Sequence, residues 1–172
     1  FPTRRSSDLD AAPLPERGYY RGVLPIPAVG QPFEEAYAMA SECAEFAPVW
    51  GRPSPFWEMP GELSGGYGRL FVDDYLRGNE MFPLLQFSFY GEGMQLATPP
   101  GLEGATLNDP EWRSAYKESV LESVRATKPK FVSLGNEVNR WFEAHGWEGD
   151  NGFQHFVSLY HELYDEIGRA HV

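Results

Sequence analysis

The sequence is poor in cysteine, in basic clusters and in long apolar runs, and each shortage removes a class of function. Cys43 is the single cysteine, so neither an intrachain disulfide nor a cysteine-based zinc site can form. The chain has 14 lysines and arginines against 25 acidic residues, with no basic run. Nucleic acid is therefore not an expected partner, because phosphate binding needs clustered cations. No segment approaches the roughly 20 apolar residues that a transmembrane helix needs, so no membrane span is predicted.

Several catalytic signatures are missing as well. The chain has neither a GxGxxG nor a GxxxxGK[ST] loop for nucleotide phosphates, and no serine lies in a GxSxG elbow. His161 and Glu162 begin a segment that lacks the second histidine of the HExxH zinc motif. We therefore predict no metal site and no cofactor.

Both termini resemble translated adaptors from short-read DNA sequencing. The two segments are Phe1–Leu9 and Glu166–Val172. We expect residues 1–9 and 166–172 to be artefacts of this kind. Residues 10–165 would then be a piece of a longer, metagenomic protein, so the beginning of the chain gives no information about an export signal.

Apolar runs and helical periodicities alternate along the chain. The segments predicted as strands are Tyr20–Pro27, Phe46–Trp50, Phe82–Phe89 and Lys130–Leu134. Helices are predicted from Pro32 in a first turn, over Tyr67–Arg77, from an Asn108 or Asp109 cap to Lys128, and from Phe153 onward, whereas Gly51–Gly66 and Tyr90–Leu107 are predicted loops. Such alternation predicts an α/β fold with a parallel sheet and right-handed crossovers. Four βα units correspond to the N-terminal half of a TIM (β/α)8 barrel, which takes about 250 residues when complete.

The segment Gly135-Asn136-Glu137 follows the fourth predicted strand. In βα folds the residues just past the carboxyl ends of the strands hold the chemistry. Glu137 therefore is a candidate general acid/base, and Asn136 offers a donor and an acceptor to a sugar hydroxyl. The structural alternatives are that Glu137 caps a helix or pairs with Arg140, and that Asn136 only stabilises a turn.

Aromatic side chains are expected on the same rim. Trp50, Trp57, Tyr90 and Trp141 lie at or beyond predicted strand ends, where flat rings can stack on the apolar face of a sugar. We take these four as candidate substrate-binding residues. The alternative for each is that it packs the rim of the barrel.

The segment Gly135-Asn136-Glu137-Val138-Asn139, placed after a fourth βα strand, resembles the clan A glycoside hydrolases. It is most similar to the endo-β-1,4-galactanase group, family 53. The resemblance implies that Glu137 is the acid/base and that Asn136 contacts the hydroxyl next to the reacting carbon. The nucleophile of that clan is a second glutamate at the end of strand seven, beyond this chain. The resemblance therefore implies that the parent is an enzyme and that this fragment is inactive.

The sequence is compatible with three functions. The leading one is a retaining glycoside hydrolase acting on a β-linked polysaccharide or oligosaccharide, with the carbohydrate as partner and no protein partner predicted. The others are a non-catalytic carbohydrate-binding or surface barrel, and a sugar isomerase or epimerase-like barrel in which Glu137 would ligate a divalent metal. A polysaccharide substrate favours an extracellular or cell-surface location.

Overall fold

The structure of the chain is a computed structural model that describes residues 14–49 and 55–170, with side chains described as far as residue 167. The architecture is mixed α/β. The chain divides into two compact units. The first contains the described part of residues 1–52 together with residues 62–85 and 127–132, and the second contains the described parts of 53–61, 86–126 and 133–172.

The regular elements follow the chain in this order. They are α1 (Phe33–Ser41), β1 (Phe46–Pro48), α2 (Met59–Ser64), α3 (Gly66–Gly68) with its continuation as a π-helix (Arg69–Leu76), a 3-10 turn (Arg77–Asn79), β2 (Phe82–Gln86), a second 3-10 turn (Glu92–Met94), α4 (Pro110–Thr127), β3 (Phe131–Ser133), α5 (Val138–His145) and α6 (Phe153–Ala170).

The described strands form one small sheet in the order β1-β2-β3. Strands β1 and β2 are parallel, with Phe46 opposite Phe82. Ahead of them, Gly22 makes a single parallel bridge to Phe46. Glycine suits this position, because a Cβ atom would lie 2.2 Å from the end of the Phe46 ring, which would have to move. Each of the four chain segments that pair thus follows the previous one in sequence.

The predicted first strand, Tyr20–Pro27, is reduced in the structure to that one bridge. Pro25 and Pro27 have no backbone N–H and cannot extend a hydrogen-bonded ladder. The third predicted strand, Phe82–Phe89, corresponds to β2 and is shorter than expected, because β2 ends at Gln86. The prediction of a loop over Gly51–Gly66 was wrong for its last part, where the chain forms helix α2 (Met59–Ser64). Pro60 and Glu62 lie in the first turn of α2, where proline loses no helical hydrogen bond and an acidic side chain meets the positive end of the helix dipole.

The first unit has its core between α1 and the sheet. Helix α1 begins at Phe33, one residue later than predicted, with Pro32 at the cap position, and it buries Tyr37 and Ala40, although Phe33 on the expected face remains exposed. These side chains pack with Ala47 of β1 and with Leu76 at the end of the π-helix. Burial raises the pKa of the Tyr37 phenol to about 12, assisted by neighbouring Tyr75.

The second unit is built on helix α4. Asp109 caps this helix as predicted, since its Oδ1 atom accepts hydrogen bonds from the backbone N–H groups of Glu111 (2.8 Å) and Trp112 (3.2 Å). The predicted apolar face is confirmed: Trp112, Tyr116, Val120 and Val124 are all buried. Helix α6 also forms as predicted. In the part of the chain that the structure describes, no helix is long and apolar enough to cross a membrane.

Candidate active site

The backbone between β3 and α5 is held in place by two hydrogen bonds and one close contact. The buried Tyr116 hydroxyl of α4 donates to the Leu134 carbonyl oxygen (3.1 Å), and the Ser133 hydroxyl donates to the Gly135 carbonyl oxygen (3.2 Å). A Cβ atom on Gly135 would lie 2.6 Å from Val138 Cγ1 and 2.8 Å from Phe156 Cζ. Glycine therefore lets the chain pass directly over α6 before it turns into α5.

Glu137 occupies the position just before α5 in a left-handed backbone conformation, with φ 43° and ψ 41°. This conformation costs a non-glycine residue about 1–2 kcal/mol, and such strain is concentrated at functional sites. The side chain makes no capping hydrogen bond to the helix. It is half exposed, and its Oε2 atom lies 2.9 Å from the Arg140 guanidinium. The geometry thus includes the ion pair that was the structural alternative for this residue.

Tyr90 lies beside this ion pair. Partial burial of its phenol and the nearby negative charge of Glu137 raise the pKa of Tyr90, while the positive charge of Arg140 opposes the shift. The hydrogen bond to Glu137 and the charge of that carboxylate in turn raise the pKa of the Arg140 guanidinium. Tyr90, Glu137 and Arg140 therefore form one electrostatically coupled group.

Trp141 packs behind Tyr90 and is itself fully buried. Its ring is stacked with that of Tyr90 (centroids 6.1 Å apart) and meets Phe89 edge-on at 5.1 Å. Its Nε1–H donates to the Asn151 carbonyl oxygen at 2.8 Å. The structure places Trp141 among the packing of the second unit, so that the half-buried Tyr90 is the ring that a ligand can reach.

Asn136 is joined to the neighbouring strand. The Gln86 amide nitrogen, at the carboxyl end of β2, donates to the Asn136 Oδ1 atom at 2.7 Å. Both side chains are partly buried. Gln86 was not predicted as a site residue, because it was assigned to the interior of an apolar strand extending to Phe89. The feature that could have indicated its role is that it is the one amide side chain within that apolar run.

A second residue that sequence reasoning missed is His145, at the end of α5. Its ring lies 4.0 Å from the Trp141 ring, and its Nε2 atom is 2.8 Å from the Met94 carbonyl oxygen. The Nε2–H tautomer is required for that hydrogen bond. His145 thereby connects the 3-10 turn at Glu92–Met94 to α5, close to Tyr90.

The other two predicted tryptophans are not part of this group. Trp50 lies outside the described residues. Trp57 is partly buried and meets Phe56 edge-on at 5.0 Å, and Phe56 packs against Trp112 and Tyr116. Among the ring contacts of the described residues, none joins Trp57 to Tyr90 or Trp141.

The hydrogen-bonding groups of the candidate site suit a polar ligand. Asn136, Glu137, Arg140 and Tyr90 offer amide, carboxylate, guanidinium and phenol groups within one region of the second unit. Within residues 14–49 and 55–170, no group of three or more histidine, cysteine, aspartate or glutamate side chains is arranged to hold a metal ion. Comparisons with protein-family models, with curated proteins and with solved structures found no match.

Proposed function

We propose that this chain contributes the acid/base side of a retaining glycoside hydrolase that acts on a β-linked oligosaccharide or polysaccharide. The observation that supports this most is the position of Asn136 and Glu137 at the carboxyl end of β3, beside Gln86 at the carboxyl end of β2. Tyr90 supplies an accessible aromatic ring in the same group.

The pairing pattern supports the first half of a (β/α)8 barrel as the fold behind this site. Gly22, β1, β2 and β3 pair in chain order, and a helix separates β1 from Gly22 and β3 from β2. A barrel built from successive βα units requires this order. In such a barrel, the residues that follow strands two, three and four face a common active site.

The reaction assigns a definite step to Glu137. Its carboxylic acid proton passes to the glycosidic oxygen as the bond from that oxygen to the anomeric carbon breaks, while a second carboxylate about 5 Å away attacks the anomeric carbon. Water, deprotonated by the same Glu137, then releases the sugar from that carboxylate. We propose that the attacking carboxylate comes from a segment outside this sequence.

The ion pair with Arg140 sets a condition on this mechanism. An arginine partner stabilises the carboxylate anion, whereas the first step needs the carboxylic acid. Substrate binding would therefore have to displace the Arg140 guanidinium. Both partners are half exposed in the structure, with side-chain exposures of 55% for Arg140 and 50% for Glu137, so the guanidinium is free to move into solvent.

The test is a Glu137→Gln substitution in the full parent protein. We expect hydrolysis of aryl glycosides with poor leaving groups to fall by roughly 100-fold or more, the usual contribution of general acid catalysis. Substrates with good leaving groups need no protonation, so their glycosylation step should change much less. Equal rates for the variant and the wild type on poor leaving groups would refute the acid role.

The ion pair itself favours a second candidate, a non-catalytic carbohydrate-binding barrel. A carboxylate held by arginine accepts hydrogen bonds from sugar hydroxyls without transferring a proton. In this case the parent protein would bind oligosaccharides with measurable affinity and show no turnover, and Glu137→Gln would weaken binding.

A further inference from the structure

Building on the proposed function, we infer that Gln86 is a positioning residue that fixes the Asn136 amide with its nitrogen toward the ligand. A side-chain amide has one carbonyl acceptor and one NH2 donor, and rotation by 180° exchanges them with little change in shape. Which end faces a ligand is therefore decided by the neighbours. Here the decisive neighbour is Gln86.

The geometry assigns the orientation. Gln86 Nε2–H donates to Asn136 Oδ1 at 2.7 Å, a short and well-formed amide hydrogen bond. This bond occupies the carbonyl end of Asn136. Among the described residues, no other side-chain hydrogen bond involves Asn136. The Asn136 NH2 group is thus left to donate to a bound molecule.

The position of Gln86 at the end of β2 holds its side chain in place relative to Asn136. Gln86 is the last residue of β2, which neighbours β3 in the sheet, and the next residue, Phe87, donates its N–H to the Ser133 carbonyl oxygen (2.9 Å) at the end of β3. Asn136 lies three residues further on, in the turn whose backbone is held by the hydrogen bonds to the Leu134 and Gly135 carbonyl oxygens. A strand end on one side and a hydrogen-bonded turn on the other therefore fix the two amides relative to each other.

A fixed NH2 donor has a consequence for the ligand. It needs an acceptor lone pair, which a sugar hydroxyl or ring oxygen has and a protonated amino group lacks. The Glu137 carboxylate, next in the chain, is an acceptor for the O–H of a sugar hydroxyl. The site should therefore prefer neutral, hydroxyl-bearing sugars to amino sugars in their ammonium form at the position that Asn136 contacts.

The orientation is tested by NMR on the isotopically labelled chain, without any sugar. We expect a scalar coupling across the hydrogen bond from Gln86 Nε2 to the Asn136 side-chain carbonyl carbon, lost in Gln86→Leu. A coupling in the reverse direction, from Asn136 Nδ2 to the Gln86 side-chain carbonyl, would overturn the inference. So would the absence of both couplings in the folded wild-type chain.

The ligand preference is tested by titration with two probes, β-1,4-galactotetraose and a chitosan tetramer, at a mildly acidic pH where the amino groups of chitosan are protonated and glutamate side chains are still ionised. The wild type should bind the neutral probe more tightly. In Gln86→Glu, the carboxylate can only accept, so Asn136 must turn its NH2 inward and present its carbonyl oxygen. The preference should then move toward the chitosan probe by roughly tenfold or more, the value of one hydrogen bond that is made or left unpaired.

A charge-matched control separates orientation from simple attraction of a cation. Gln95→Glu adds the same charge on the exposed loop that follows β2 and leaves the amide pair intact. An equal change of preference in Gln95→Glu and Gln86→Glu would overturn the inference. If the predicted coupling is present but the wild type binds neither probe, the orientation is supported and the proposed carbohydrate function is refuted.

Discussion

Replacing Tyr116 with phenylalanine removes one oxygen atom and, with it, the hydrogen bond from α4 to the backbone just before Gly135. Tyr116 is fully buried, and Leu134, whose carbonyl oxygen receives this bond at 3.1 Å, is 7% exposed. Phenylalanine keeps the ring contacts with Phe56 and Trp112. The substitution therefore isolates the hydrogen bond from the packing.

The expected cost follows from the burial of the carbonyl group. An unsatisfied buried acceptor costs about 1–3 kcal/mol, which is a large share of the 5–15 kcal/mol that typically stabilises a domain. We expect the free energy of unfolding to fall by that amount. We also expect faster hydrogen exchange at the amides of residues 134–137, because the variant loosens the backbone that positions the candidate site.

Urea unfolding measures the first effect, and the dependence of the free energy on urea should keep its slope, since the surface exposed on unfolding is unchanged. Tyr164→Phe is the matched control, because Tyr164 is 65% exposed and its substitution should change stability by less than about 0.5 kcal/mol. If both variants are equally stable, the hydrogen bond to Leu134 does not contribute as the structure indicates.

Three further predictions concern the same unit. Burial raises the pKa of Tyr116 above its usual value of 10, so the wild type should lose stability above pH 10 more steeply than Tyr116→Phe, by about 1.4 kcal/mol per pH unit, and parallel alkaline melting curves would contradict this. Gly135→Ala should destabilise the chain by about 1–3 kcal/mol through its clash with Val138 and Phe156, whereas Gly91→Ala, with nothing within 4 Å of its Cβ atom, should be nearly neutral in the same melt. Although burial acts in the opposite direction, hydrogen bonds from Lys117 and Arg113 hold the pKa of the Glu162 carboxyl below its usual value. Because the Glu162 side chain is 38% exposed and solvent screens its ion pairs, Glu162→Gln should cost at most about 1 kcal/mol at neutral pH. That difference should be lost as the pH falls through the lowered pKa of Glu162, and a difference that persists in acid would assign it to packing instead.

Local signals in the sequence predicted the mixed α/β architecture and several of its helices. The Asp109 cap with Pro110 gave the start of α4, and the four-residue spacing from Trp112 to Val124 gave its buried face, because both depend on residues near in sequence. Strand lengths were predicted less well. The apolar run Phe82–Phe89 continues past the end of β2, because Phe87 and Phe89 are buried although neither belongs to the strand.

The candidate site depends on both local and distant contacts. Asn136 and Glu137 follow a strand that the sequence shows, but their partners depend on tertiary contacts. The bond from Gln86 to Asn136 spans 50 positions, and the burial of Trp141 depends on Phe89 and Asn151. The pattern of apolar residues along the sequence does not indicate contacts between such distant positions. The Arg140 ion pair, three residues from Glu137 on one helical turn, is the local contact that the sequence did offer.

The most direct test of the proposed carbohydrate site is an NMR titration of the labelled chain with β-1,4-galactotetraose, with Asn136→Ala as the comparison. We predict that the sugar shifts the resonances of Gln86, Tyr90, Asn136 and Glu137, and that Asn136→Ala abolishes or strongly weakens these shifts. Absence of shifts at those residues at millimolar sugar, or equal shifts in Asn136→Ala, would contradict the account.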